Sequence, residues 1–324
     1  MTRVFIDGEA GTTGLQIAAR LARRDDLTVL RITEHERKSS AARERLLQDA
    51  EVAILCLPDD AAREAVAMAG DACRFIDAST AHRVAPGWEY GLPELDPDAR
   101  QRIARARRVS NPGCYPQGFV LLVRPLIEAG ILPHDLPLRT HAVSGYSGGG
   151  RALIDTYRGL DAGRQERWNT RSYGLGLAHK HVPEMHTYSG TSIPPLFTPM
   201  VGNYYQGMLV HVPLFVSELT GAPTLEHVHG VLERRYRGEP FVKVWPVGAA
   251  DAVEAGFLDA TACNDTNMIE LMVFGNDRQL LLAARYDNLG KGASGAALQN
   301  LNLMIGADER TGLEPARTRA GAPA

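Results

Sequence analysis

Short apolar runs alternate with helix-like segments through about the first eighty residues, and this alternation restricts the possible folds more than any other feature. The runs are Arg3–Asp7, Leu27–Thr33, Val52–Leu57 and Arg74–Asp77. Gly14–Arg23 and Asp60–Ala69 lie between them and carry apolar residues at helical spacing. Parallel strands need a crossover connection, so the pattern is typical of βαβ units. It predicts an α/β fold whose N-terminal part is a Rossmann-like, doubly wound parallel sheet.

The pattern changes after about residue 137. Longer strand-like runs follow at Leu138–Val143, Gln206–Val216, Val242–Trp245 and Met268–Gly275. Few helices separate them, and Leu225–Tyr236 is the clearest. This predicts a second, α+β domain with a mixed or antiparallel sheet. Gly290–Leu303, a glycine-marked loop opening into an apolar helix, is expected to pack back on the first domain.

Composition and charge narrow the functional classes. The 324 residues suit about two domains, and 44% of them are hydrophobic, enough for a large core. A net charge of −3 gives no general attraction to nucleic acid or acidic membranes. The local basic run Arg100–Arg108 indicates the solvated face of a helix, with a phosphate-facing patch as the alternative. The residues from Ala307 to Ala324 are typical of a frayed tail.

Two absences bear on location. The N-terminus lacks the charged and then apolar pattern of a signal peptide, and no stretch approaches the roughly 20 apolar residues of a membrane helix. The cysteines are far apart and form no CxxC pair, so neither a disulfide framework nor a metal site is expected. We therefore expect a cytoplasmic protein without nucleic-acid or membrane partners. Cys56, inside an apolar run, resembles a core residue.

Gly8, Gly11 and Gly14 follow the first strand with GxxGxxG spacing, one residue off the usual dinucleotide-binding GxGxxG. Glycines let the backbone turn tightly and approach a pyrophosphate, while the next helix offers free N–H groups and a positive dipole end. Thr12 and Thr13 add hydroxyl donors. An ordinary βα turn is the alternative, but a strand before and a helix after are the context that nucleotide binding requires.

The residues after the second strand leave the choice between NAD and NADP open. Glu34 lies about 20 residues past the glycine turn, where a carboxylate can bind a ribose 2′-hydroxyl. Arg37 and Lys38 follow at once and could pair with a 2′-phosphate. All three could equally be surface charges.

Cys114 lies in the sharp turn Ser110-Asn111-Pro112-Gly113-Cys114-Tyr115-Pro116, just before an apolar helix predicted over Gln117–Ala129. Pro116 suits the first helical turn. Backbone N–H groups and the helix dipole stabilise a thiolate at such a position, so we expect the pKa of Cys114 to be depressed. A thiolate is suited to attack on an acyl carbonyl. The alternative is a small buried residue at a tight turn.

A covalent route needs a proton-transfer group beside the cysteine, and the best candidate is His179-Lys180-His181 with Glu184 three residues later. A nearby lysine favours neutral imidazole, and a carboxylate can orient a ring. A polar surface loop is the alternative. No third ligand for a metal is evident.

Two further segments carry donors for a phosphate or carboxylate. The glycine-rich stretch that begins at Ser144 and Gly145 and ends at Arg151 is either an anion-binding loop or a flexible linker. Asp77–Arg83 follows the fourth strand, at the edge of a parallel sheet where ligands bind. There Arg83 could form a bidentate pair with an anion, although a surface arginine is the alternative.

Together these motifs resemble the short form of the N-acetyl-γ-glutamyl-phosphate reductase family, in the semialdehyde dehydrogenase superfamily. The matching stretches run in family order from about residue 4 to 306: FIDGEAGTTG, ILCLPDDAAREAV, IDASTAHR, WEYGLPEL, SNPGCYP, SGYSGGGR, HKHVPEM and DNLGKGASGAALQNLN. Two details differ from the commoner long form, which usually has arginine where Lys180 stands and threonine where Gln117 stands.

The resemblance implies a role for each matching residue. Cys114 matches the nucleophile and His181 the acid/base. The implied substrate-binding residues are Arg83, Ser144, Gly145, His179 and Glu184. The implied NADP(H)-binding residues are Gly8, Gly11, Thr12, Thr13, Gly14, Arg37, Lys38, Ser79 and Asn288, the last near the nicotinamide. No metal is implied.

The resemblance also implies the reaction and the organisation of the chain. NADPH would reduce N-acetyl-γ-glutamyl phosphate to the semialdehyde through a Cys114 thioester, as in arginine biosynthesis. An NADP-binding domain of residues 1–113 and 289–324 would precede and follow a catalytic and oligomerisation domain of residues 114–288. The partners would be a small-molecule substrate and further copies of the chain, in a dimer or tetramer.

Overall fold

The structure is a computed structural model that describes residues 1–36 and 39–313. These residues form two compact units. One comprises Met1–Gly113, Gly149–Ala152 and Ala293–Gly312, and the other comprises Cys114–Gly148 and Leu153–Gly292. No helix among the described residues is long and apolar enough to span a bilayer.

The first unit is built on a six-stranded parallel sheet. Its elements are β1 (Thr2–Asp7), α1 (Thr12–Leu21), β2 (Leu27–Leu30), α2 (Ser40–Asp49), β3 (Val52–Leu55), α3 (Asp59–Ala69), β4 (Arg74–Asp77), β5 (Glu89–Tyr90), α4 (Ala99–Arg105) and β6 (Arg108–Ser110). The strand order is β2-β1-β3-β4-β6-β5. The predicted doubly wound sheet is therefore confirmed, and its order reverses between β1 and β3, where ligands of such sheets bind.

The strands of this sheet are buried on both faces, as parallel strands usually are. Val4, Phe5 and Ile6 of β1 are at most 1% exposed. Phe5 packs in one cluster with Leu55, Phe75 and the alanines of α3. Two predicted strands extended too far at their C-terminal ends, because β2 stops at Leu30 and β3 stops at Leu55. The apolar pattern continues beyond the last residue that pairs with a neighbouring strand.

The last helix of the chain, α10 (Gly295–Ile305), packs against α1, α4 and β4 within the first unit. Its buried asparagines replace apolar contacts with specific hydrogen bonds. Asn300 Nδ2 donates to Gly91 O at 2.9 Å, and Asn302 Oδ1 accepts from Arg24 Nη1 at 2.8 Å. These bonds hold the helix in one position, because an unpaired buried amide is costly.

Two arginines of the basic run Arg100–Arg108 form close ion pairs with carboxylates. Arg100 Nε lies 2.8 Å from Glu309 Oε2. Arg102 pairs with Glu89 at 2.9 Å and with Asp96 at 2.7 Å. These ion pairs support the interpretation of a solvated helix face.

The second unit is built on a seven-stranded mixed sheet. Its elements are α5 (Cys114–Glu128), β7 (Arg139–Gly145), α6 (Gly150–Arg158, of which this unit contains the part from Leu153), α7 (Ala162–Arg167), β8 (Thr170–Ser172), α8 (Val182–Ser189), β9 (Leu196–Gly202), β10 (Met208–Phe215), α9 (Leu225–Tyr236), β11 (Val242–Val244), β12 (Ile269–Gly275) and β13 (Gln279–Tyr286). The strand order is β11-β12-β13-β10-β7-β9-β8. The pairs β7–β9 and β11–β12 are parallel and the others antiparallel, which confirms the predicted mixed sheet.

Three helices of this region were not expected: α6, α7 and α8 have six to nine residues each. Such short segments contain too few turns for apolar residues to recur visibly. In α6 only Ile154 and Tyr157 are buried. The expectation of few helices between the strands was therefore wrong.

His211 of β10 should make stability depend on pH. Burial, followed by the charge of His141 on the neighbouring strand, lowers the pKa of His211 below its usual 6.5. The unfolded chain therefore takes up a proton first as pH falls through about 6.5, and stability is lost from there downward. His211→Gln is expected to flatten the dependence of Tm on pH between about 8 and 5.5, a range set by the histidine pKa.

The control is His227→Gln, which removes an exposed histidine from α9. Thermal unfolding of the wild type and of both variants across this pH range gives the slope of Tm against pH for each protein. A His211→Gln protein with the wild-type slope would contradict the assignment.

Candidate active site

The glycine turn after β1 is shaped by close backbone approaches. Gly8 has φ +90°, and a Cβ there would lie 2.4 Å from Cys56 O. A Cβ on Gly14 would lie 2.5 Å from Gly8 O. At Gly11 the closest approach is 3.4 Å, to Gly8 O. The turn thus requires glycine at positions 8 and 14, and tolerates a side chain at position 11.

The start of α1 suits an anion. Gly11 caps the helix without a side-chain bond, and the first turn, which contains Thr12 and Thr13, carries no acidic residue. In contrast, α3 begins with Asp59 and Asp60. Unscreened N–H groups at a helix N-terminus attract phosphate. The residues present therefore fit the pyrophosphate of a dinucleotide.

Gly14→Ala is expected to weaken binding of a nicotinamide dinucleotide by at least roughly tenfold, the scale of overpacking at a rigid site. The added Cβ would meet backbone atoms of Gly8 and Glu9, so the turn must move as a whole. Fluorescence titration with NADPH measures the change. Gly11→Ala is the control and should bind within a few-fold of wild type, while equal weakening in both would contradict the geometry.

The expected cofactor-selecting residues are only partly visible. Arg37 and Lys38 lie outside the described residues. Glu34 was expected directly after the second strand, but β2 stops at Leu30 and Glu34 begins a separate 3₁₀ turn, Glu34–Glu36. The structure also places a basic residue that no motif singled out at this edge of the sheet: Nη2 of Arg43, on α2, lies 2.8 Å from Asp7 Oδ2 at the end of β1.

A buried carboxylate organises the turn after β4. Asp77 accepts hydrogen bonds from the N–H of Ser79 at 2.9 Å and from its hydroxyl at 2.7 Å. His82 Nδ1 lies 2.6 Å from the same carboxylate, and the imidazole stacks on Trp88 with centroids 4.1 Å apart. Arg83 is 8% exposed and donates to Ala78 O at 3.0 Å. Ser79 and Arg83 therefore share one rigid turn at the carboxyl edge of the sheet.

Three of the four thiols are unsuited to act as nucleophiles. Burial, with smaller contributions from Asp77 and Asp7, raises the pKa of Cys56 to about 12. Cys56, expected in the core, is partly exposed where β3 ends, although it is buried enough for its thiol to stay protonated. Burial also raises the pKa of Cys73 to about 11 and that of Cys263 further. These groups stay protonated at neutral pH and so are poor nucleophiles.

In the second unit, Cys114 is the first residue of α5 and is partly exposed. The helix begins three residues earlier than predicted, because Pro116 fits within its first turn, where the N–H it lacks has no partner inside the helix. Gln117, also in this turn, donates from Nε2 to Lys291 O at 2.8 Å. Cys114 therefore lies where α5 presents its positive dipole end.

A second helix begins near Cys114. Helix α8 packs against α5. Their N-terminal ends share contacts between Tyr115 and His181, and farther along Arg124 Nη1 donates to Tyr188 O at 3.2 Å. The two helices therefore run in the same direction. Both N-termini favour negative charge in this region, which supports a thiolate.

Both predicted histidines lie beside Tyr115, the residue after Cys114. The Tyr115 ring centroid is 5.8 Å from that of His181 and 5.9 Å from that of His179. The backbone N–H of His181 donates to His179 Nδ1 at 3.1 Å. In neutral His179 the proton is therefore on Nε2. His181 itself is 6% exposed and caps α8.

Tyr115 and Tyr173, to which no motif assigned a role, lie beside the two histidines. Tyr173 donates its hydroxyl to that of Tyr115 at 3.1 Å, and Tyr115 donates to Met200 O at 3.4 Å. Burial chiefly, and also the negative charge at Cys114, raises the pKa of both. Both phenols therefore stay protonated and serve as hydrogen-bond donors near the thiol.

The remaining predicted residues of this unit have defined places. Glu184 is 1% exposed in the first turn of α8, where the dipole favours a carboxylate. Ser144 and Gly145 were expected in a loop, which was wrong: they end β7. A Cβ on Gly145 would lie 2.5 Å from Tyr205 O, so glycine lets the neighbouring chain approach and pairing continue.

Asn288 holds the glycine-rich stretch in place. Its Oδ1 accepts from Gly207 N at 2.8 Å, and its Nδ2 donates to Ser147 Oγ at 3.0 Å. Four residues later, a Cβ on Gly292 would lie 3.1 Å from Cys114 Cβ. No local pattern revealed that Gly292 keeps space beside the thiol. Within residues 1–36 and 39–313, no three His, Cys, Asp or Glu side chains are placed to hold a metal ion.

Family models match both halves of the chain. The model described as "Semialdehyde dehydrogenase, NAD binding domain" matches residues 3–103. The model described as "Semialdehyde dehydrogenase, dimerisation domain" matches residues 114–288.

Curated relatives match nearly the whole chain. N-acetyl-γ-glutamyl-phosphate reductase 2 of Nostoc sp. is 52% identical over 318 residues, which cover 96% of this chain and 99% of the relative. The protein of the same name from Pseudomonas putida is 51% identical over 94% of this chain and 97% of its own length.

Solved structures share the fold. Aspartate semialdehyde dehydrogenase II of Vibrio cholerae, complexed with ASA, superposes with a TM-score of 0.71 at 17% identity, covering 94% of this chain and 98% of that one. Aspartate semialdehyde dehydrogenase of Candida albicans with NADP gives 0.66 at 12% identity, with coverage of 94% and 98%. At these identities the likeness establishes architecture alone.

Proposed function

The chain belongs to the N-acetyl-γ-glutamyl-phosphate reductase family of semialdehyde dehydrogenases, and on that basis we propose that it reduces N-acetyl-γ-glutamyl phosphate to N-acetylglutamate 5-semialdehyde and phosphate, as in arginine biosynthesis. One observation carries the proposal: Cys114 is the first residue of α5, and the ring of the next residue, Tyr115, lies 5.8 Å from that of His181 and 5.9 Å from that of His179. A nucleophile next to a proton-transfer group is the arrangement that acyl transfer needs.

The cofactor is NADP(H), held by the glycine turn. The pyrophosphate would lie on the start of α1, formed by Gly11, Thr12 and Thr13, with Gly8 and Gly14 allowing its approach. Ser79 and Asn288 are the other residues proposed to bind the cofactor, with Asn288 near the nicotinamide. Arg37 and Lys38 would pair with the 2′-phosphate, which distinguishes NADP from NAD. When bound, NADPH supplies the hydride.

The Cys114 thiolate attacks the γ-acyl carbon of the substrate. The new bond joins Cys114 Sγ to that carbon, the bond from carbon to the phosphate oxygen breaks, and phosphate leaves with the electron pair. Arg83 offers a charge for the phosphate, and Ser144, Gly145, His179 and Glu184 bind the rest of the substrate. A thioester on Cys114 results.

His181 moves the proton when the thioester carbonyl is reduced. Backbone N–H groups at the start of α5 stabilise the oxyanion that develops there, and His181 donates a proton to it. When the adduct collapses, His181 takes the same proton back, the carbon–sulfur bond breaks, the aldehyde leaves and the thiolate is restored. His181 is buried beside Tyr115, so bulk water does not compete for this proton.

The domain assignment follows the two matched models. We assign residues 1–113 and 289–324 to an NADP-binding domain and residues 114–288 to a catalytic and dimerisation domain. The description of the second model supports a homo-oligomer, a dimer or a tetramer. A nucleophilic thiol must stay reduced, which supports a cytoplasmic location.

The test runs the reaction backwards, because the semialdehyde is more stable than the acyl phosphate. NADP⁺ reduction is followed with N-acetylglutamate semialdehyde, with and without phosphate. Phosphate-dependent formation of NADPH is expected. Activity with aspartate semialdehyde instead would keep the chemistry and change the substrate, and no activity with either despite tight NADPH binding would indicate a nucleotide-sensing protein.

A further inference from the structure

The hydroxyl of Tyr286 lies inside the first turn of α5. In a regular helix the N–H of residue 118 donates to the carbonyl of residue 114. Here the phenol donates to Cys114 O at 2.5 Å and accepts from Gly118 N at 3.1 Å. One side chain therefore binds both backbone groups that the first turn of α5 pairs.

Gly118 makes room for this arrangement. A Cβ on Gly118 would lie 2.9 Å from both Cε1 and the hydroxyl oxygen of Tyr286. Such a contact is shorter than real Cβ atoms show, so any larger residue would displace the ring. The absence of a side chain at Gly118 is thus tied to the position of Tyr286.

Tyr286 is itself rigidly held and permanently protonated. It is fully buried at the end of β13, paired with Met208 on one side and Ile269 on the other. Burial, followed by the negative charge at Cys114, raises the pKa of Tyr286 well above its usual 10. The hydroxyl therefore remains a donor throughout the pH range in which the thiol titrates.

We propose that Tyr286 is a positioning residue for the nucleophile: its hydroxyl, bound to both Cys114 O and Gly118 N–H, holds the first turn of α5 in the geometry that favours the Cys114 thiolate. The inference rests on the proposed function, in which Cys114 is the nucleophile. It assigns Tyr286 no contact with substrate or cofactor.

The physical reason is that the thiolate depends on the direction of the N–H groups around it. Loss of the hydroxyl removes one hydrogen bond from each of Cys114 O and Gly118 N–H, which frees the first turn of α5 to move at Cys114. A hydrogen bond donated to the Cys114 carbonyl also withdraws electron density from the residue that carries the thiolate. Both effects favour the charged form only while the phenol is present.

A second tyrosine, which lies on α9 and contacts the same helix α5, provides a matched control. Tyr236 is also buried, and its hydroxyl donates to Leu121 O of α5 at 2.7 Å. Tyr236→Phe and Tyr286→Phe each remove one buried hydroxyl bound to an α5 carbonyl, so a general loss of packing should affect them alike. Only Tyr286→Phe acts on the turn of Cys114.

The experiment measures the rate of Cys114 alkylation by iodoacetamide as a function of pH, with the modified peptide identified by mass spectrometry. Tyr286→Phe is expected to raise the midpoint of the profile by roughly one pH unit, which slows alkylation at neutral pH by about tenfold. Tyr236→Phe should keep the wild-type midpoint. Gly118→Ala displaces the Tyr286 ring without removing its hydroxyl and should shift the midpoint in the same direction. This second variant tests the proposal if Tyr286→Phe does not fold.

An unchanged midpoint in Tyr286→Phe, or an equal shift in Tyr236→Phe, would overturn the positioning role alone. A wild-type Cys114 that reacts no faster than Cys56 would overturn the nucleophile assignment and the positioning role with it. The two failures are therefore distinguishable in one set of measurements.

Discussion

Cys114→Ser is expected to lower kcat by at least about 10³-fold while leaving NADPH binding within a few-fold of wild type, on the scale on which loss of a covalent nucleophile acts. A serine hydroxyl stays protonated at neutral pH even at a helix N-terminus, so the attacking anion is lost. The glycine turn belongs to the other compact unit, so the residues proposed to hold the pyrophosphate are unchanged. Turnover is followed by NADPH formation from the semialdehyde and phosphate, and binding by fluorescence titration.

The control for this variant is Cys56→Ser. Cys56 has a pKa raised to about 12 and is partly exposed at the edge of the parallel sheet. Its replacement should leave kcat near wild type, because a protonated thiol contributes nothing to acyl transfer. A Cys114→Ser enzyme with near-native rate would rule out the thioester route.

His181→Asn is expected to lower the steady-state rate by roughly 10²–10⁴-fold, the usual contribution of a positioned acid or base. Asparagine is close in size and keeps a polar side chain at the start of α8, but it cannot transfer a proton. Acylation of Cys114 should persist, because phosphate leaves without needing that proton. Rapid-quench measurement should therefore show one equivalent of phosphate released per site before slow consumption of NADPH.

His186→Asn provides the comparison, since it removes a partly buried histidine from α8 without touching Tyr115. It should keep the rate within a few-fold of wild type. Loss of the phosphate burst in His181→Asn would mean that His181 is needed to form the thiolate rather than to protonate the oxyanion.

Several features can be predicted from the amino-acid sequence because they depend on neighbours in the chain. The glycine turn follows a strand and opens a helix, and only glycine at position 14 tolerates the approach of the Gly8 and Glu9 backbone. Cys114 is at a helix start because prolines and a glycine precede and follow it. Local sterics and hydrogen bonding determine both.

The predictions that the structure contradicts have other causes, which differ from one feature to the next. Ser144 and Gly145 belong to β7 because the chain at Tyr205 and Gly207 approaches them, which their glycine-rich surroundings do not indicate. Cys56 is partly exposed although its run is apolar, because β3 stops at Leu55. The three short helices contain too few turns for a visible periodicity.

From its own pattern the sequence determined a parallel α/β unit, a glycine-rich turn that opens a helix and a cysteine at a helix N-terminus, because each depends on residues a few positions apart. Tertiary structure alone decided what surrounds that cysteine. Tyr286 reaches its carbonyl from 172 residues away, and Gly292 leaves space beside its Cβ. Such contacts arise only when distant segments of the chain pack together, and no spacing along the chain encodes which residues will then meet.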